Sequence, residues 1–387
     1  MNILMICTEK LPVPSIRGGA IQTYIDGVSS LLSKRHNLSI LSVDDPSLPN
    51  RQTLAGIQYV RVPGKLPDVY IKHVVEYLKG NAKQYDLIHV FNRPKFVPAI
   101  KQVAPHARLI LSMHNDMFLL EKIDLGTATT AIESLEKIVT VSNYVGNTIA
   151  KQYPQAQEKL RTIYSGVDIQ RYIPSSEMVR KQEREALRRQ HQLQNKKVIL
   201  FVGRLTAKKG VDKLVLAMHS LKKKHPDIAL VLVGSKWYSD EGISDYVAYV
   251  HALAQRSVVP VVTTGFVDPK EVHKWFWAGD IFVCTSLWQE PLARVHYEAM
   301  AAGLPIVTTA RGGNPEVIQS RENGLIVQNP EDPEAFATSI STILSDVALK
   351  KHMSEVGRKL AIQKYGFKRV ANDILSVWES PNENKKK

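Results

Sequence analysis

Short runs of apolar and β-branched residues alternate along the chain with segments whose apolar residues recur at helical spacing. In segment 21–36 the apolar positions include Ile21, Tyr24, Ile25 and Val28, which predicts a first amphipathic helix. The runs in the first half that predict buried strands are 2–7, 38–43, 57–62, 86–91, 108–113 and 137–141. Because strands that alternate with helices form βαβ units, we expect a parallel sheet here.

The same alternation begins again in the second half of the chain. The strands predicted there are 197–203, 228–234, 258–264, 280–285 and 305–309. The helices predicted between them are 211–224, 245–256, 269–278 and 292–302. The pattern therefore predicts an α/β protein with two Rossmann-like, doubly wound domains.

The boundary between the predicted domains is a strongly charged segment. The domains span 1–173 and 195–366, and segment 174–194 between them is rich in Arg, Lys, Gln and Glu. This segment could form a basic amphipathic membrane helix or a solvated linker helix. Because it has few large apolar residues, the linker helix is favoured. The polar tail over 381–387 is expected to be disordered.

The amino-acid composition and net charge indicate which classes of binding partner to expect. A formal net charge of +14 favours anionic partners, among them nucleotide phosphates, acidic polymers and anionic membrane surfaces. Nucleic-acid binding would depend on charge alone, because no zinc-finger or RNP spacing accompanies it, and is not expected. No apolar run approaches the roughly 18 residues of a membrane span. The two cysteines, Cys7 and Cys284, lie in apolar runs and are expected to be buried thiols of a cytoplasmic protein.

The strongest local signal for chemistry is the segment 288–305, which follows a predicted strand. Pro291 suits the first turn of a helix, where its missing N–H is not needed. The backbone N–H groups of Leu292, Ala293 and Arg294 would then point from the start of the helix toward an anion.

Two glutamates in this segment are candidates for contact with a sugar. Glu290 directly precedes the predicted helix, and Glu298 lies two turns further along on roughly the same face. A carboxylate can accept two hydrogen bonds from a ribose diol or from the hydroxyls of a sugar. The alternative is that Glu298 pairs with a surface lysine and that Glu290 only interacts with the helix dipole.

A second candidate is the loop from Gly203 to Gly210, where a strand is followed by Arg204, Lys209 and a helix. The G-K-[ST] order of a Walker A loop is absent. The loop still places two cations at the carboxyl end of a strand, where open α/β sheets bind ligands, and a pyrophosphate requires such donors. Solvated basic residues are the alternative.

Three further loops follow predicted strands. Gly18 and Gly19 would let the backbone approach a phosphate closely. His114, with Asp116 nearby, could bond to a sugar hydroxyl at the edge of a cleft. The Gly-rich loop 310–318 would suit the floor of that cleft. Ordinary loops and a structural histidine remain the alternatives.

The sequence carries no carboxylate pair placed for Mg²⁺ or Mn²⁺ and no His/Cys cluster for zinc. We therefore expect no metal and no bound cofactor. Arg204, Lys209 and the starts of helices would then have to stabilise the negative charge of a departing diphosphate.

These motifs together resemble the retaining GT-B glycosyltransferases of family four along nearly the whole chain. The matching positions are Gly18 and Gly19, His114, 141–143, 165–168, 203–210, Glu290, Glu298, 312–316 and 323–325. The segments 9–20, 91–94, 234–237 and 288–303 are similar to a subgroup associated with the spore coat of endospore-forming bacteria.

The resemblance implies a GT-B fold whose two domains face a central cleft, with the nucleotide held by the second domain. By position in the motifs, Glu298 would bind the ribose and Glu290 the sugar of the donor. Arg204 and Lys209 would bind its diphosphate.

The first domain would contribute Gly19, through its backbone N–H to a phosphate, and His114, beside the sugar. A last helix over 367–380 would return to complete this domain. The chain departs from many relatives at Leu292 and Ala293, where they carry Phe-Gly, and at Asn115, which separates His114 from the acidic residue.

The expected activity is a metal-independent, hexosyltransferase-type transfer with retention, from a nucleotide-diphosphate sugar to an acceptor hydroxyl. UDP is the expected nucleotide, because it is the commonest in such families. A saccharide acceptor in the spore coat or a cell-surface polysaccharide, spore-coat proteins and anionic surfaces are the expected partners. The alternatives are a nucleotide-sugar epimerase and an inactive structural protein of the coat. A pyridoxal-phosphate phosphorylase would share this architecture, but the sequence has no motif for the lysine that binds that cofactor.

Overall fold

The computed structural model describes residues 1–172, 176–236 and 243–380. The chain forms two compact units. The first contains Met1–Gly166 together with a returning segment that begins at Phe367, and the second is Val167–Gly366. Among the described residues, no helix is both long and apolar enough to cross a membrane.

An eight-stranded sheet forms the centre of the first unit. Its strands are β1 (Asn2–Ile6), β2 (Asn37–Val43), β3 (Arg51–Leu54), β4 (Ile57–Val62), β5 (Leu87–Phe91), β6 (Arg108–Met113), β7 (Lys137–Thr140) and β8 (Leu160–Thr162). Their order is β3-β4-β2-β1-β5-β6-β7-β8, and only β3 runs antiparallel to its neighbour. The direction in which strands are added reverses between β1 and β5, so ligands are expected at the carboxyl ends of these two strands.

Five helices of the first unit connect these strands. They are α1 (Ala20–Leu32), α2 (Pro67–Asn81), α3 (Val97–Val103), α4 (Leu125–Ser134) and α5 (Asn143–Gln152). The face predicted for α1 is buried, including Ile21, Tyr24, Ile25 and Val28. The helix was predicted to reach residue 36 but ends at Leu32. The polar run from Ser33 to His36 follows it.

A six-stranded, fully parallel sheet forms the centre of the second unit. The helices before it are α6 (Ile169–Tyr172) and α7 (Glu177–Gln190). The strands are β9 (Lys197–Val202), β10 (Ile228–Val233), β11 (Val261–Thr263), β12 (Ile281–Val283), β13 (Ile306–Thr309) and β14 (Gly324–Val327). Their order, β11-β10-β9-β12-β13-β14, is that of a dinucleotide-binding sheet, with its switch point between β9 and β12. The predicted α/β fold with parallel, doubly wound sheets is confirmed.

The remaining helices of the second unit cover this sheet. They are α8 (Val211–Lys224), α9 (Asp245–Gln255), α10 (Val272–Ala278), α11 (Val295–Ala302), α12 (Pro333–Ser345) and α13 (Val347–Lys364).

In segment 174–194 the described residues 176–194 include helix α7, whose side chains are mostly exposed, as predicted for a solvated linker helix, with Arg188 as its buried residue. The helix packs against α10 as part of the second unit. Arg188 is buried, donates to the carbonyl of Ala278 at 2.9 and 2.8 Å, and lies 2.6 Å from Asp280. One face of α7 thus carries guanidinium groups that bond to the backbone and to a carboxylate, while most of its other side chains are exposed. Residues 173–175, 237–242 and the predicted disordered tail 381–387 lie outside the described residues.

The last helix, α14 (Phe367–Glu379), returns to the first unit. Its buried face consists of Val370, Ala371, Ile374, Leu375, Val377 and Trp378. The helix approaches α1 so closely that a Cβ on Gly27 would lie 2.4 Å from the ring of Phe367. The backbone of α1 therefore packs directly against α14 at Gly27.

Candidate active site

The two loops that flank the switch point of the second sheet are joined to each other. The loop after β9 contains Lys208, Lys209 and Gly210, and the loop after β12 contains Thr285 and Leu287. The N–H of Leu287 donates to the carbonyl of Lys208 at 2.9 Å, and the hydroxyl of Thr285 donates to that of Lys209. Gly210 has φ 61°, and a Cβ there would lie 2.6 Å from the carbonyl oxygen of Thr285. Glycine is therefore required for the two loops to meet.

This junction places Lys209 against Glu290. The ammonium of Lys209 lies 2.6 Å from Oε2 of Glu290. The same oxygen accepts hydrogen bonds from the hydroxyl of Ser286 and from the indole N–H of Trp288, each at 2.8 Å. Among the described residues, all three of these contacts are made to Oε2 of Glu290, and none is made to its Oε1. The sequence interpretation named Lys209 and Glu290 but missed Ser286 and Trp288, since nothing in their spacing indicates that they bond to Glu290.

The charge state of this pair follows from its surroundings. Glu290 is only 8% exposed. Burial raises the pKa of its carboxyl, but Lys209 and the two hydrogen-bond donors outweigh burial, so the pKa lies below its usual value. Burial lowers the pKa of Lys209, but the carboxylate outweighs this and the pKa is raised. Both groups are therefore charged at neutral pH. Arg204, whose charge also acts on Lys209, adds a positive charge to this neutral pair.

The Gly-rich loop after β13 holds the backbone of Glu290. Gly313 donates its N–H to the carbonyl of Glu290 at 2.8 Å, and Gly312 donates to the side chain of Gln289 at 2.6 Å. Gly312 has φ 57°, and a Cβ there would lie 2.0 Å from the carbonyl oxygen of Glu290. This loop, predicted as the floor of a cleft, thus supports the candidate sugar-binding residue.

The helix predicted to start at Leu292 starts three residues later, at Val295. Leu292 and Ala293 are buried in the preceding loop, and Ala293 donates its N–H to the side chain of Asn314 at 3.2 Å. The N–H of Ala293 is therefore already bonded within the loop, and contact of the N–H groups of Leu292 and Arg294 with an anion stays a prediction. Pro291 begins a bend and not the helix, because Asn314 satisfies the donor that the first turn would otherwise expose.

Glu298 lies on α11 among a separate set of partners. Its carboxylate is 3.8 Å from the guanidinium of Arg294, and the hydroxyl of Tyr172 favours its charged form. Burial raises the pKa of Glu298 above its usual value, although Arg294 and Tyr172 oppose this. Glu298 is thus a shielded carboxylate whose cation and phenol neighbours orient it.

Cys284 and Cys7 are free and buried, as predicted. Cys284 directly follows β12, at the start of the loop that contains Glu290. Its thiol lies 3.7 Å from the hydroxyl of Ser286. Burial raises the pKa of this thiol, but His296 and Lys209 outweigh burial and hold the pKa at about 7.

In the first unit, taken by itself, the glycine loop after β1 precedes α1. Gly18 and Gly19 have φ values of 78° and 98°. A Cβ on Gly19 would lie 2.3 Å from the side-chain oxygen of Gln22, and Arg17 pairs with Asp45 at 3.0 Å. The loop is held firmly and tolerates no side chain at Gly19.

His114 follows β6 and is held by its neighbours. Its backbone N–H and that of Asn115 donate to the side-chain oxygen of Asn92, at 3.1 and 2.9 Å. The imidazole makes an edge contact with the ring of Tyr24 at 4.9 Å. Asp116 is buried, and burial raises its pKa even though Lys122 opposes this. In the described part of the chain, one of its carboxylate oxygens has no hydrogen-bond partner.

The described residues contain no group of three or more His, Cys, Asp or Glu side chains that could hold a metal ion. The candidate donor-side residues thus form two charged clusters in the second unit, around Glu290 and around Glu298. His114 and the Gly18–Gly19 loop belong to the first unit.

Comparison with known proteins identifies the family of both units. A family model described as Glycosyltransferase Family 4 matches residues 18–171, and one described as Glycosyl transferases group 1 matches residues 183–360. Spore coat protein SA of Bacillus subtilis (strain 168) is 44% identical over 98% of this chain and 99% of its own length. The putative glycosyltransferase YtcC of the same strain is 39% identical over 98% of this chain and 92% of its own.

Solved structures match the whole fold. The Anabaena protein HepE in complex with UDP superposes with a TM-score of 0.77 at 21% identity, over 98% of this chain and all of that one. Sucrose-phosphate synthase from Thermosynechococcus elongatus gives a TM-score of 0.75 at 20% identity, over 98% of each chain. From its two domain matches, its relatives and its fold, this chain belongs to the family-four glycosyltransferases with the GT-B fold.

Proposed function

We propose that the protein transfers a sugar from a nucleotide-diphosphate donor to an acceptor hydroxyl with retention of configuration. The observation that carries this proposal is the Lys209–Glu290 pair at the switch point of the second sheet. It places a fixed ammonium and a fixed carboxylate where an open α/β sheet binds its ligand. A diphosphate and a sugar require these two kinds of group.

Each side chain has a role that its chemistry supports. Lys209 and Arg204 bind the diphosphate and stabilise the charge that grows on it as the glycosidic bond breaks. Oε1 of Glu290 accepts hydrogen bonds from hydroxyls of the donor sugar. Glu298 accepts those of the ribose, and Arg294 and Tyr172 orient it.

Retention is proposed from the resemblance to retaining family-four transferases, and the weakness of the available nucleophile argues against a covalent glycosyl-enzyme intermediate on that route. Oε2 of Glu290 already accepts three hydrogen bonds, and the low pKa of this carboxyl makes it a poor nucleophile. We therefore favour attack by the acceptor on the face from which the diphosphate leaves, with a phosphate oxygen taking the proton of the acceptor. His114 and the backbone of Gly18 and Gly19 contribute from the first unit.

The positive charge of Arg204 and Lys209 supports transfer without a divalent metal or a bound cofactor. UDP is the proposed nucleotide, because solved structures of HepE contain UDP and UDP-glucose. The name of spore coat protein SA supports a role connected with the spore coat. We propose a cytoplasmic enzyme with a saccharide acceptor in the spore coat or at the cell surface and with spore-coat proteins as partners. The net charge of +14 supports contact with anionic surfaces.

A donor screen tests this proposal. Thermal shift and hydrolysis are measured with UDP-, GDP- and ADP-sugars on the wild type, Lys209→Ala and the exposed neighbour Lys208→Ala. We expect one donor class to raise the melting temperature of the wild type and of Lys208→Ala, and Lys209→Ala to lose this shift. Absence of a shift with every donor, or epimerised sugar without hydrolysis or transfer, would contradict the proposal.

A further inference from the structure

A charged cavity lies at the edge of the second sheet opposite to Lys209 and Glu290. It has a volume of about 400 Å³ and is lined by residues of α7 and α13 and by residues next to two strand starts. Asp280 directly precedes β12, and Gly303 and Leu304 precede β13. Because the amino ends of parallel strands share one edge, this cavity lies away from Lys209 and Glu290, which follow carboxyl ends.

Positive charge is in excess in this cavity. Four cationic and two anionic side chains line it, namely Arg180, Lys181, Arg184, Lys350, Glu177 and Asp280. Asp280 is already engaged, since Arg184 lies 2.8 Å and Lys350 3.5 Å from it. Glu177 is 78% exposed and 3.9 Å from Arg180, beyond hydrogen-bond distance. The carboxylates therefore do not balance the cations.

The environment of Arg180 shows this excess most clearly. Its side chain is only 19% exposed. Arg180 and Arg358 both donate to the carbonyl of Ala302, at 3.1 and 3.2 Å, so two guanidinium groups converge on one oxygen. Burial and the charge of Arg358 lower the pKa of Arg180. Two like charges held this close are stabilised when an anion joins them.

We propose that this basic pocket binds the phosphate group of a small phosphorylated metabolite. The planar guanidinium of Arg180 matches two phosphate oxygens, and Lys350 adds a point charge. The hydroxyl of Ser354 supplies a neutral donor at the same wall. The volume is that of a small-molecule site, and the concave shape favours a soluble phosphate ester over the surface of a membrane.

The test is a titration of the full chain followed by backbone amide NMR, with inorganic phosphate and glucose 1-phosphate as probes. We expect saturable shifts of the Gly279, Gly303 and Ser354 amides with both probes, and none with sodium chloride of equal ionic strength. These amides report the basic pocket whether or not phosphate also binds near Lys209. No saturable shift of the three amides in the wild type would overturn the proposal, and this result does not depend on any variant folding.

A variant pair adds a second test. Arg180→Gln with Lys350→Gln should weaken binding of glucose 1-phosphate at least about tenfold, because two charge-assisted contacts are lost. Lys223→Gln, an exposed lysine on α8, is the matched control and should bind as the wild type does. Equal affinity of the double variant and the control would contradict the proposal. The proposal would also be contradicted if neither soluble probe bound and the protein instead bound anionic phospholipid vesicles through Arg180.

Because binding of UDP does not pass through the basic pocket, the double variant should bind UDP as the wild type does. Failure of this inference would leave the proposed transferase activity intact, and loss of that activity would leave the phosphate titration unchanged.

Discussion

Trp378 donates its indole N–H to Nδ1 of His89 at 3.1 Å, across the interface between the last helix and the first sheet. Both side chains are fully buried. The other ring nitrogen of His89 lies 2.7 Å from the hydroxyl of Ser112. The imidazole is therefore held with Nδ1 as an acceptor, and α14 is part of the polar interior of the first unit as well as of its apolar core.

Removal of the indole should destabilise the first unit. Trp378→Ala should cost about 3–5 kcal/mol, since a large side chain is lost from a packed interior and His89 loses a donor. Truncation before Phe367 should have a larger effect. The measurement is chemical denaturation followed by circular dichroism. Lys368→Ala, an exposed position on the same helix, is the control. A truncated chain with full stability and activity would contradict this prediction.

His89 should make the stability of the first unit depend on pH. Burial, with a contribution from His114, lowers the pKa of His89 from 6.5 to about 3. His89 therefore binds a proton below about pH 6.5 in the unfolded chain, but only below about pH 3 in the folded chain. This contribution to the free energy of unfolding should fall as pH decreases through that window and level off below it. Denaturation of the wild type, His89→Gln and the control His73→Gln from pH 7 to 3 measures it. An equal pH dependence in His89→Gln and the wild type would contradict the prediction.

The two candidate glutamates should have separable effects on donor binding. Glu298→Ala should weaken free UDP about ten- to hundredfold, because a hydrogen bond to a charged group is lost. Glu290→Ala should spare free UDP and weaken the UDP-sugar, and Glu290→Gln, which keeps the shape of the side chain, should do the same. Calorimetry with UDP and with the intact donor distinguishes these outcomes, and the reverse pattern would refute the assigned roles.

Lys209→Ala should lower kcat as well as donor affinity. The ammonium faces a charge that grows along the reaction, so its loss should reduce kcat on the order of a hundredfold. Arg204→Lys should also be harmful, because a planar fork is replaced by a point charge. Steady-state kinetics with Lys208→Ala as the control measures both effects, and circular dichroism checks the fold, since Lys209→Ala leaves Glu290 without its cation. Normal kcat and kcat/KM in both variants would show that neither side chain acts in the reaction.

Donor binding and turnover should persist in EDTA. Arg204 and Lys209 supply the positive charge that a divalent ion would otherwise provide. Activity measured after EDTA treatment, with and without added Mg²⁺ or Mn²⁺, checks this. Loss of both binding and turnover in EDTA, followed by recovery with either ion, would contradict the prediction.

Residues that follow long apolar strands could be placed from the sequence, because a parallel sheet brings the carboxyl ends of its strands to one edge. Arg204, Lys209 and Glu290 were located in this way. The ion pair between Lys209 and Glu290 was not predicted, since the two lie 81 positions apart. It depends on Gly210 and Gly312, where close backbone approach leaves no room for a Cβ. Such contacts leave no periodic pattern in a sequence.

Short and polar elements were harder to predict. Strands β3, β8 and β14 are absent from the predicted set, although β11 and β12 are as short and were predicted. Strands β3 and β8 have mostly polar, exposed residues and therefore lack the apolar run that indicates a buried strand. The packing of helix α7 on α10 leaves no apolar stripe in the sequence, because Arg184 and Arg188 make the contact through backbone carbonyls. The start of α11 was misplaced because Pro291 suits a first helical turn, whereas Asn314, 21 positions further on, takes the N–H of Ala293. In each case a distant partner decided the local structure.

The return of α14 to the first unit has a consequence for synthesis on the ribosome. When Gly166 has emerged, the groove for Trp378 beside His89 is still uncovered, and it stays so while the roughly 200 residues of the second unit are made. At the usual rate of elongation this takes about 10 to 40 s. The second unit is therefore complete before the first, and the nascent chain exposes an apolar groove that a chaperone can recognise during that interval.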